Sequence, residues 1–468
     1  IEGDLNLAFS EDVSKRFEAY NWHVQTIDGH DFEEIEKAII SAQNETEKPS
    51  IIIARTVIAK GSPNKAGSES THGAPLGEDE VKATKVNIGC DENALFCVPN
   101  LIYEKINDHI AQLKVNFESW QKKFNTTIIG EKKELWEKHF SEPSIESLRK
   151  ELINWEKGDK VATRSASGKI LEKLFSLLPN IIGGSADLAP SNKSFVKGFS
   201  ETGNGSIGRN IHFGIREHAM GAIQNGIAYY GGFIPYSATF FVFMDYMRPP
   251  IRLAALSELR TIYIFTHDSI FVGEDGPTHQ PVEHLAAARS IPNLSVWRPA
   301  DGNETREAWL SALEHTDGPS ILSLTRQNIP IVTTSEEARN VQKGAYVLFN
   351  PEDNLDVVIY ASGSEVHISI EAAKKLNESG ISTRVVSFPC WEYFDKQDDE
   401  YKEYILPKDV KKVVVEAGLQ MGWEKYVGRD ALFITMNGFG TSAPYQVLMN
   451  VFGFNAENII NNIKTFLN

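Results

Sequence analysis

Cysteine is scarce in this 468-residue chain: Cys90, Cys97 and Cys390 form no CxxC pair and show no metal-ligand spacing. That excludes a disulfide-stapled scaffold and a cysteine-ligated metal centre, and it makes a reducing, cytoplasmic setting the expectation. No run of about 18 apolar residues occurs, so a membrane-spanning helix is not expected. No secretory or transit pattern is visible at the start. Basic residues are in deficit, with 47 Lys and Arg against 63 Asp and Glu for a net charge of −16. Without a dense basic block the chain offers no nucleic-acid-binding face. An anionic substrate then requires a local basic pocket working against a repulsive background.

What is present is ordinary globular material, 41% hydrophobic and 24% charged, long enough for roughly three domains. Strand-like apolar runs alternate with helical stretches, which predicts an α/β fold with mostly parallel sheets flanked by helices. The expected strands are Ser50 to Thr56, Asn180 to Gly183, Arg260 to Thr266, Leu294 to Arg298, Ile321 to Leu324, Val357 to Ala361, Thr383 to Phe388, Lys412 to Glu416 and Leu432 to Met436. Runs such as Ile51-Ile52-Ile53 and Val413-Val414-Val415 do not alternate, as expected of strands buried on both faces. In open parallel sheets a site lies beyond the carboxyl ends of the strands. From about Val98 to Lys157, aromatics and Lys/Glu recur at helical spacing and predict a helical connector. A second boundary is expected near Thr333-Thr334-Ser335-Glu336-Glu337, before a smaller C-terminal α/β domain. The opening Ile1-Glu2-Gly3-Asp4 is neither an initiator nor a targeting segment, and the chain reads as a piece of something longer.

Titratable residues concentrate in a few segments. Thr266 through Pro281 follows an apolar strand and holds two histidines (His267, His279) and three carboxylates (Asp268, Glu274, Asp275), a composition that reads as a loop rather than core. Gly214-Ile215-Arg216-Glu217-His218 opens a helix-like run to Ala228, where a lone Glu217 is most simply explained as a partner of the helix dipole. Phe240, Phe243 and Tyr246 recur at spacing three, which on a helix marks one face, either a core stripe or a pocket wall. Gly183-Gly184 enters the polar turn Ser185-Ala186-Asp187 ahead of Ser191-Asn192, where glycines permit close backbone approach. His72 lies in Thr71-His72-Gly73-Ala74-Pro75-Leu76, and Arg164 and Arg326 stand beside apolar segments as either salt-bridge partners or ligand clamps. In the last domain, Ala361-Ser362-Gly363-Ser364 reads as a tight strand–helix turn or an anion cradle.

Taken together these segments resemble transketolase, a thiamine-diphosphate enzyme of the pentose phosphate pathway and the Calvin cycle. The resemblance runs in order through Glu11-Asp12-Val13, Arg16 to Tyr20, Asp28-Gly29-His30-Asp31, Gly61-Ser62-Pro63-Asn64-Lys65, His72 to Leu76, Gly184 to Leu188, Arg216-Glu217-His218, His267-Asp268-Ser269, Gly273 to Pro281, Arg326-Gln327-Asn328, Ala361 to Val366 and Phe394 to Gln397. It implies three parts: residues 1–127 as the C-terminal remnant of the diphosphate-binding domain with the start of a linker, 128–336 as linker and pyrimidine-binding domain, and 337–468 as the C-terminal domain. The family's Gly-Asp-Gly metal motif is not found in the sequence, so the Mg²⁺ ligands are expected upstream of Ile1 and this chain alone is expected to be inactive.

The resemblance also assigns roles. Glu217 is the acid that shares a proton with the cofactor's pyrimidine, while Phe240, Phe243 and Tyr246 hold that ring. Asp187 and His72 belong with the cofactor, His72 between its diphosphate and the donor sugar. Arg164, Ser191, His267 and Arg326 match phosphate-binding positions, Asp275 reads a hydroxyl beside the acceptor carbonyl, and His279 lies near the donor's first hydroxyls. Glu217, His279 and His72 are the expected catalytic residues. The implied reaction moves a two-carbon ketol unit, through a thiamine-diphosphate carbanion, from a ketose phosphate of the xylulose 5-phosphate type to an aldose phosphate. The implied assembly is a homodimer with the site between subunits. Two alternatives are a deoxyxylulose-phosphate-synthase-like enzyme using pyruvate, and a non-catalytic remnant that still dimerises.

Overall fold

The computed structural model describes residues 5–203, 205–351 and 354–468, and Ile1 to Asp4 lies outside them. The chain divides into two compact units, one ending at Phe124 and one running from Asn125. In the first unit, α1 (Val13–Ala19) leads to β1 (His23–Asp28), α2 (Phe32–Asn44) and β2 (Ser50–Arg55). The strands pair in parallel from His23↔Ser50 to Asp28↔Arg55. Asp31 starts α2 by accepting from the backbone N–H groups of Glu33 and Glu34, which satisfies donors a helix leaves orphaned. Strand β1 is not among the expected strands; its residues are half-buried and mix His, Gln and Thr with Val and Ile. Helices α3 (Glu78–Asn87) and α4 (Asn100–Thr127) follow.

The second unit begins with helical segments α5 (Glu131–Phe140) and α6 (Ile145–Glu151), as the Trp and Lys/Glu spacing predicts. After α7 (Thr163–Leu177) the chain builds a seven-stranded sheet from β3 (Ile181–Ser185), β4 (Glu201–Thr202), β5 (Asn210–His212), β6 (Ile234–Phe240), β7 (Ile262–Thr266), β8 (Ser295–Trp297) and β9 (Ser320–Leu324). Their order is β4-β5-β3-β6-β7-β9-β8, and every pairing is parallel. Strands β6, β7 and β9 are buried end to end, which explains their unbroken apolar character. The Gly183-Gly184 pair has a structural cause. A Cβ at Gly183 would strike the Tyr236 carbonyl oxygen, and one at Gly184 the Ile211 carbonyl oxygen, so at these two positions β3 fits between its neighbours only without a side chain. Helices α8 (Glu217–Tyr230) and α9 (Met244–Leu256) pack closely, and a Cβ at Gly221 would touch Pro250 and Met247.

The C-terminal sheet holds β10 (Tyr346–Phe349), β11 (Val357–Ala361), β12 (Thr383–Ser387), β13 (Lys411–Leu419) and β14 (Leu432–Met436) in the order β10-β12-β11-β13-β14. It is parallel except at its β10 edge. A buried ionic network joins it to the seven-stranded sheet. Arg298, just past β8, donates to Asp268 at 2.9 Å and to the Ser362 carbonyl at 2.8 Å, and it pairs with Glu365. Arg289 forks onto Glu416 at 2.8 and 2.9 Å, and the burial cost of Glu416 is overcome by its arginines, which hold its carboxyl down near pKa 2. A Cβ at Gly363, whose φ is +60°, would meet the Arg298 guanidinium. Ser362-Gly363-Ser364 is therefore a tight turn whose hollow is filled by Arg298, not a free cradle.

Candidate active site

Strand β5 ends at His212, the chain turns through Gly214 at φ +67°, and α8 opens on Glu217. Glu217 is 9% exposed. Its carboxyl has no hydrogen bond or ion pair among the described residues, which leaves it free for a ligand.

Phe240, Phe243 and Tyr246 do not share one helix. Phe240 ends β6, Phe243 closes a 3₁₀ turn at Phe241–Phe243, and Tyr246 lies in the first turn of α9. The rings nevertheless form a ladder, with Phe240 stacked on Phe243 at 6.0 Å and Phe243 on Tyr246 at 6.0 Å. Tyr246 is 64% exposed, so the ladder is a wall with an open end rather than a core stripe.

His267 extends this wall: its ring lies 3.7 Å from that of Phe240. The backbone there is left-handed, φ +62°, a conformation that a non-glycine residue holds only when its surroundings impose it. Asn192 donates to Thr266 Oγ1 at 2.6 Å, and the same hydroxyl meets His267 Nδ1 at 2.8 Å. Burial, with the charges of Arg164 and Arg326, pushes the imidazole down to about pKa 3, so it is a neutral donor across the physiological range. His279 meets the ladder edge-on, 5.8 Å from Phe243.

Arg164 and Arg326 are both half-buried. Arg164 Nη1 donates to the Ser191 carbonyl at 2.8 Å, while its Nε is buried without a partner. Burial and the charge of Arg326 lower the Arg164 pKa from its ordinary value. Neither arginine forms a carboxylate ion pair among the described residues. Two cations held near each other without a counter-charge form the local basic pocket that the −16 background demands.

The structure thus gathers Arg164, Ser191, Phe240, Phe243, Tyr246, His267, His279 and Arg326. Asp275 is exposed in the loop before His279. The first half of that loop departs from expectation. Asp268, Ser269, Ile270, Phe271 and Val272 are buried, because Arg298 neutralises Asp268 and the apolar trio packs inward. Asp187, exposed and at φ +61°, lines a cavity of about 890 Å³ with Gly184, Ser185, Lys193 and Arg216; neither Glu217 nor the three rings belong to its wall. His72 lies in the first unit, exposed, directly after a 3₁₀ turn at Glu69–Thr71. Asn192 and Thr266, which orient His267, were not singled out in the sequence. Their types and positions at a strand end and a short turn carry no distinguishing signal.

Three family profiles match consecutive stretches: the transketolase thiamine diphosphate binding domain over residues 1–140, the transketolase pyrimidine binding domain over 159–332, and the transketolase-like C-terminal domain over 344–455. The chain belongs to the transketolase family. Transketolase of Staphylococcus aureus strain MRSA252 is 45% identical over 474 residues, covering 99% of this chain and 71% of its own. That of Bacillus subtilis is 44% identical, covering 100% and 72%. Among solved structures, transketolase from Leishmania mexicana superposes with a TM-score of 0.92 at 38% identity, covering 99% of this chain and 69% of that one. A structure described as a split gene transketolase, inactive β4 tetramer, covers 66% of this chain and 98% of its own at a TM-score of 0.54 and 25% identity. The family match confirms the expected α/β architecture with its C-terminal domain, and it places a thiamine-diphosphate-binding sequence in residues 1–140. Among the described residues no helix is long and apolar enough to cross a membrane.

Proposed function

We propose that this chain serves the transfer of a two-carbon ketol unit from a ketose phosphate to an aldose phosphate, with thiamine diphosphate as cofactor. The observation that carries the reading is the Arg164–Arg326 pair, without carboxylate partners, beside a neutral His267 at the end of an aromatic wall. Guanidinium forks suit phosphate oxygens, and a buried neutral imidazole presents one N–H to an oxygen without adding charge.

The residues present fit the cofactor's pyrimidine. Glu217 is a largely buried residue whose carboxyl has no protein partner among the described residues, suited to share a proton with a ring nitrogen. Phe240, Phe243 and Tyr246 offer stacking faces that fix a flat ring and exclude water. When bound, thiamine diphosphate supplies the nucleophilic carbon and the electron sink for breaking and making the carbon–carbon bond. Around it the chain's own groups orient the sugars. Arg164, Ser191 and Arg326 hold the phosphate, His267 donates to it, and His279 and Asp275 read hydroxyls. His72 and Asp187 take the family's cofactor-side positions by motif alone. Mg²⁺ is the metal the family resemblance implies, and no residue of this chain is assigned to it. A homodimer is supported by exposed apolar residues on α8 and α9, including Ile223, Tyr230, Leu253 and Leu256.

A coupled assay with xylulose 5-phosphate and ribose 5-phosphate, in the presence of thiamine diphosphate and Mg²⁺, tests the reading. Turnover of that pair supports it; turnover only with pyruvate as donor overturns it in favour of the synthase-like alternative. A second reading is a chain that folds and assembles without turning over, and the inactive split-gene relative favours it. Calorimetry separates the two: tight, Mg²⁺-dependent thiamine diphosphate binding by this chain supports the first, and its absence the second.

A further inference from the structure

One buried imidazole lies outside the groups used above. His284, the first residue of α10 (His284–Arg289), is 3% exposed, and neither of its ring nitrogens makes a hydrogen bond. Leaving such a group unpaired is costly, and its surroundings are not apolar. Asp245 Oδ2 stands 3.3 Å from Nε2, and Glu283 Oε2 stands 3.8 Å from Nδ1. Neither carboxylate pairs with a lysine or arginine among the described residues. One candidate ligand atom from each of the three residues falls within 4.8 Å of the others.

We propose that Asp245, Glu283 and His284 form a binding site for a divalent transition-metal ion of the Zn²⁺ class. Zinc bonds of about 2.0–2.2 Å in tetrahedral geometry put neighbouring ligand atoms roughly 3.4 Å apart, close to the 3.3 Å between Nε2 and Asp245. Glu283 Oε2 now lies on the Nδ1 side, and because its side chain is 47% exposed a rotation toward Nε2 passes through solvent rather than core. A dication neutralises the two carboxylates and takes up the lone pair of Nε2, one of the two unpartnered ring nitrogens. The imidazole favours Zn²⁺, Ni²⁺ or Cu²⁺ over Mg²⁺ and Ca²⁺, which prefer all-oxygen shells. With three protein ligands the fourth position falls to water. The ion would tie the first turn of α9, which carries Asp245, to the start of α10.

The test is equilibrium dialysis of the full chain against Zn²⁺ alone as probe, with Mg²⁺ in large excess to occupy hard-cation sites. Cys90→Ser and Cys97→Ser are introduced first, because both thiols are exposed and compete for zinc. One Zn²⁺ per chain is expected, with a raised Tm because the ion binds only the folded state. Asp245→Asn and Glu283→Gln each alter an exposed side chain and leave the fold intact, and each is expected to weaken binding at least roughly tenfold. His284→Gln is expected to abolish binding, and its Tm without zinc reports whether it folds. No bound zinc, or zinc bound equally well by the Asp245→Asn/Glu283→Gln double variant, overturns the proposal.

Discussion

Replacing Arg164 by glutamine is the most discriminating perturbation of the candidate site, because a phosphate clamp and a structural ion pair predict opposite changes in stability. Arg164 gives one hydrogen bond to the chain, at 2.8 Å to the Ser191 carbonyl, and keeps a buried Nε–H without a partner. It is repelled by Arg326 rather than attracted by a carboxylate. Removing its charge relieves that repulsion and sacrifices a single neutral-acceptor bond, so Tm is expected to hold or rise slightly. Toward a phosphorylated sugar, Arg164→Gln loses a charge-assisted hydrogen bond of about 1.5–3 kcal/mol. At 25 °C that is roughly a 10- to 150-fold rise in KM. The phosphate is remote from the bond that breaks, so the loss is uniform between ground and transition state and kcat is expected to change little. The assay is steady-state kinetics with xylulose 5-phosphate and with an unphosphorylated ketose, alongside thermal unfolding. The clamp predicts a KM rise confined to the phosphorylated donor. Equal losses on both donors, or an unchanged KM, would refute the reasoning, and a Tm fall of several degrees would make Arg164 structural.

Glu217→Gln preserves shape but cannot share an acidic proton; kcat is expected to fall roughly 10²–10⁴-fold with Tm nearly unchanged, and normal turnover removes Glu217 from its role. His267 is held near pKa 3 in the folded chain against about 6.5 unfolded, so the unfolded state gains protons first as pH falls. Its stabilising contribution is complete above the unfolded value and fades as acidity rises, by about 2 kcal/mol between pH 7 and pH 5; urea titrations of the wild type and His267→Gln at both pH values read the difference, and identical pH slopes refute the assignment. Gly184→Ala places a methyl against the Ile211 carbonyl and is expected to cost about 3 kcal/mol or more, measured as a lowered urea midpoint. Ile223→Lys, at an exposed site on α8, is expected to convert a dimer to monomers in sedimentation velocity while leaving the circular dichroism spectrum unchanged.

Strands with water on neither face are legible in the sequence, and so is Ser50 to Arg55, whose Ile run is only half-buried rather than buried on both faces as expected. Ile321 to Leu324 and Val357 to Ala361 are apolar throughout because both sides meet helices, and their boundaries agree with the structure within a residue. Strand β6 escapes the same reading although it is equally buried. Pro235, Ser237 and Thr239 interrupt its apolar pattern, and burial is possible because partners such as Gln224, which accepts from Ser237, lie on another element. Missing that strand is also why Phe240, Phe243 and Tyr246 read as one helix face. Their spacing survives because a strand end, a 3₁₀ turn and a helix start happen to deliver the three rings to one stack. The loop from Thr266 to Pro281 shows the limit from the opposite side. Its composition marks it as polar, yet half of it is core, since the charge on Asp268 is cancelled by Arg298 from a distant strand end.

Long-range cancellation of this kind is what sequence conceals, and the site uses it in reverse. Arg164 and Arg326 are distant in sequence, both half-buried and both without an acid partner. Other buried arginines of the same unit take acids: Arg298 takes Asp268 and Glu365, Arg289 takes Glu416, and Arg306 takes Glu307, while Arg384 spends its guanidinium on Asn350 and the Tyr404 carbonyl. A chain with 63 acidic residues has no shortage of carboxylates to place. Withholding them from two neighbouring arginines costs stability in the free protein, and that cost is recovered when an anion arrives. On the proposed reading, the unpaired arginines, more than the presence of basic residues as such, are what suit this site to a phosphorylated substrate.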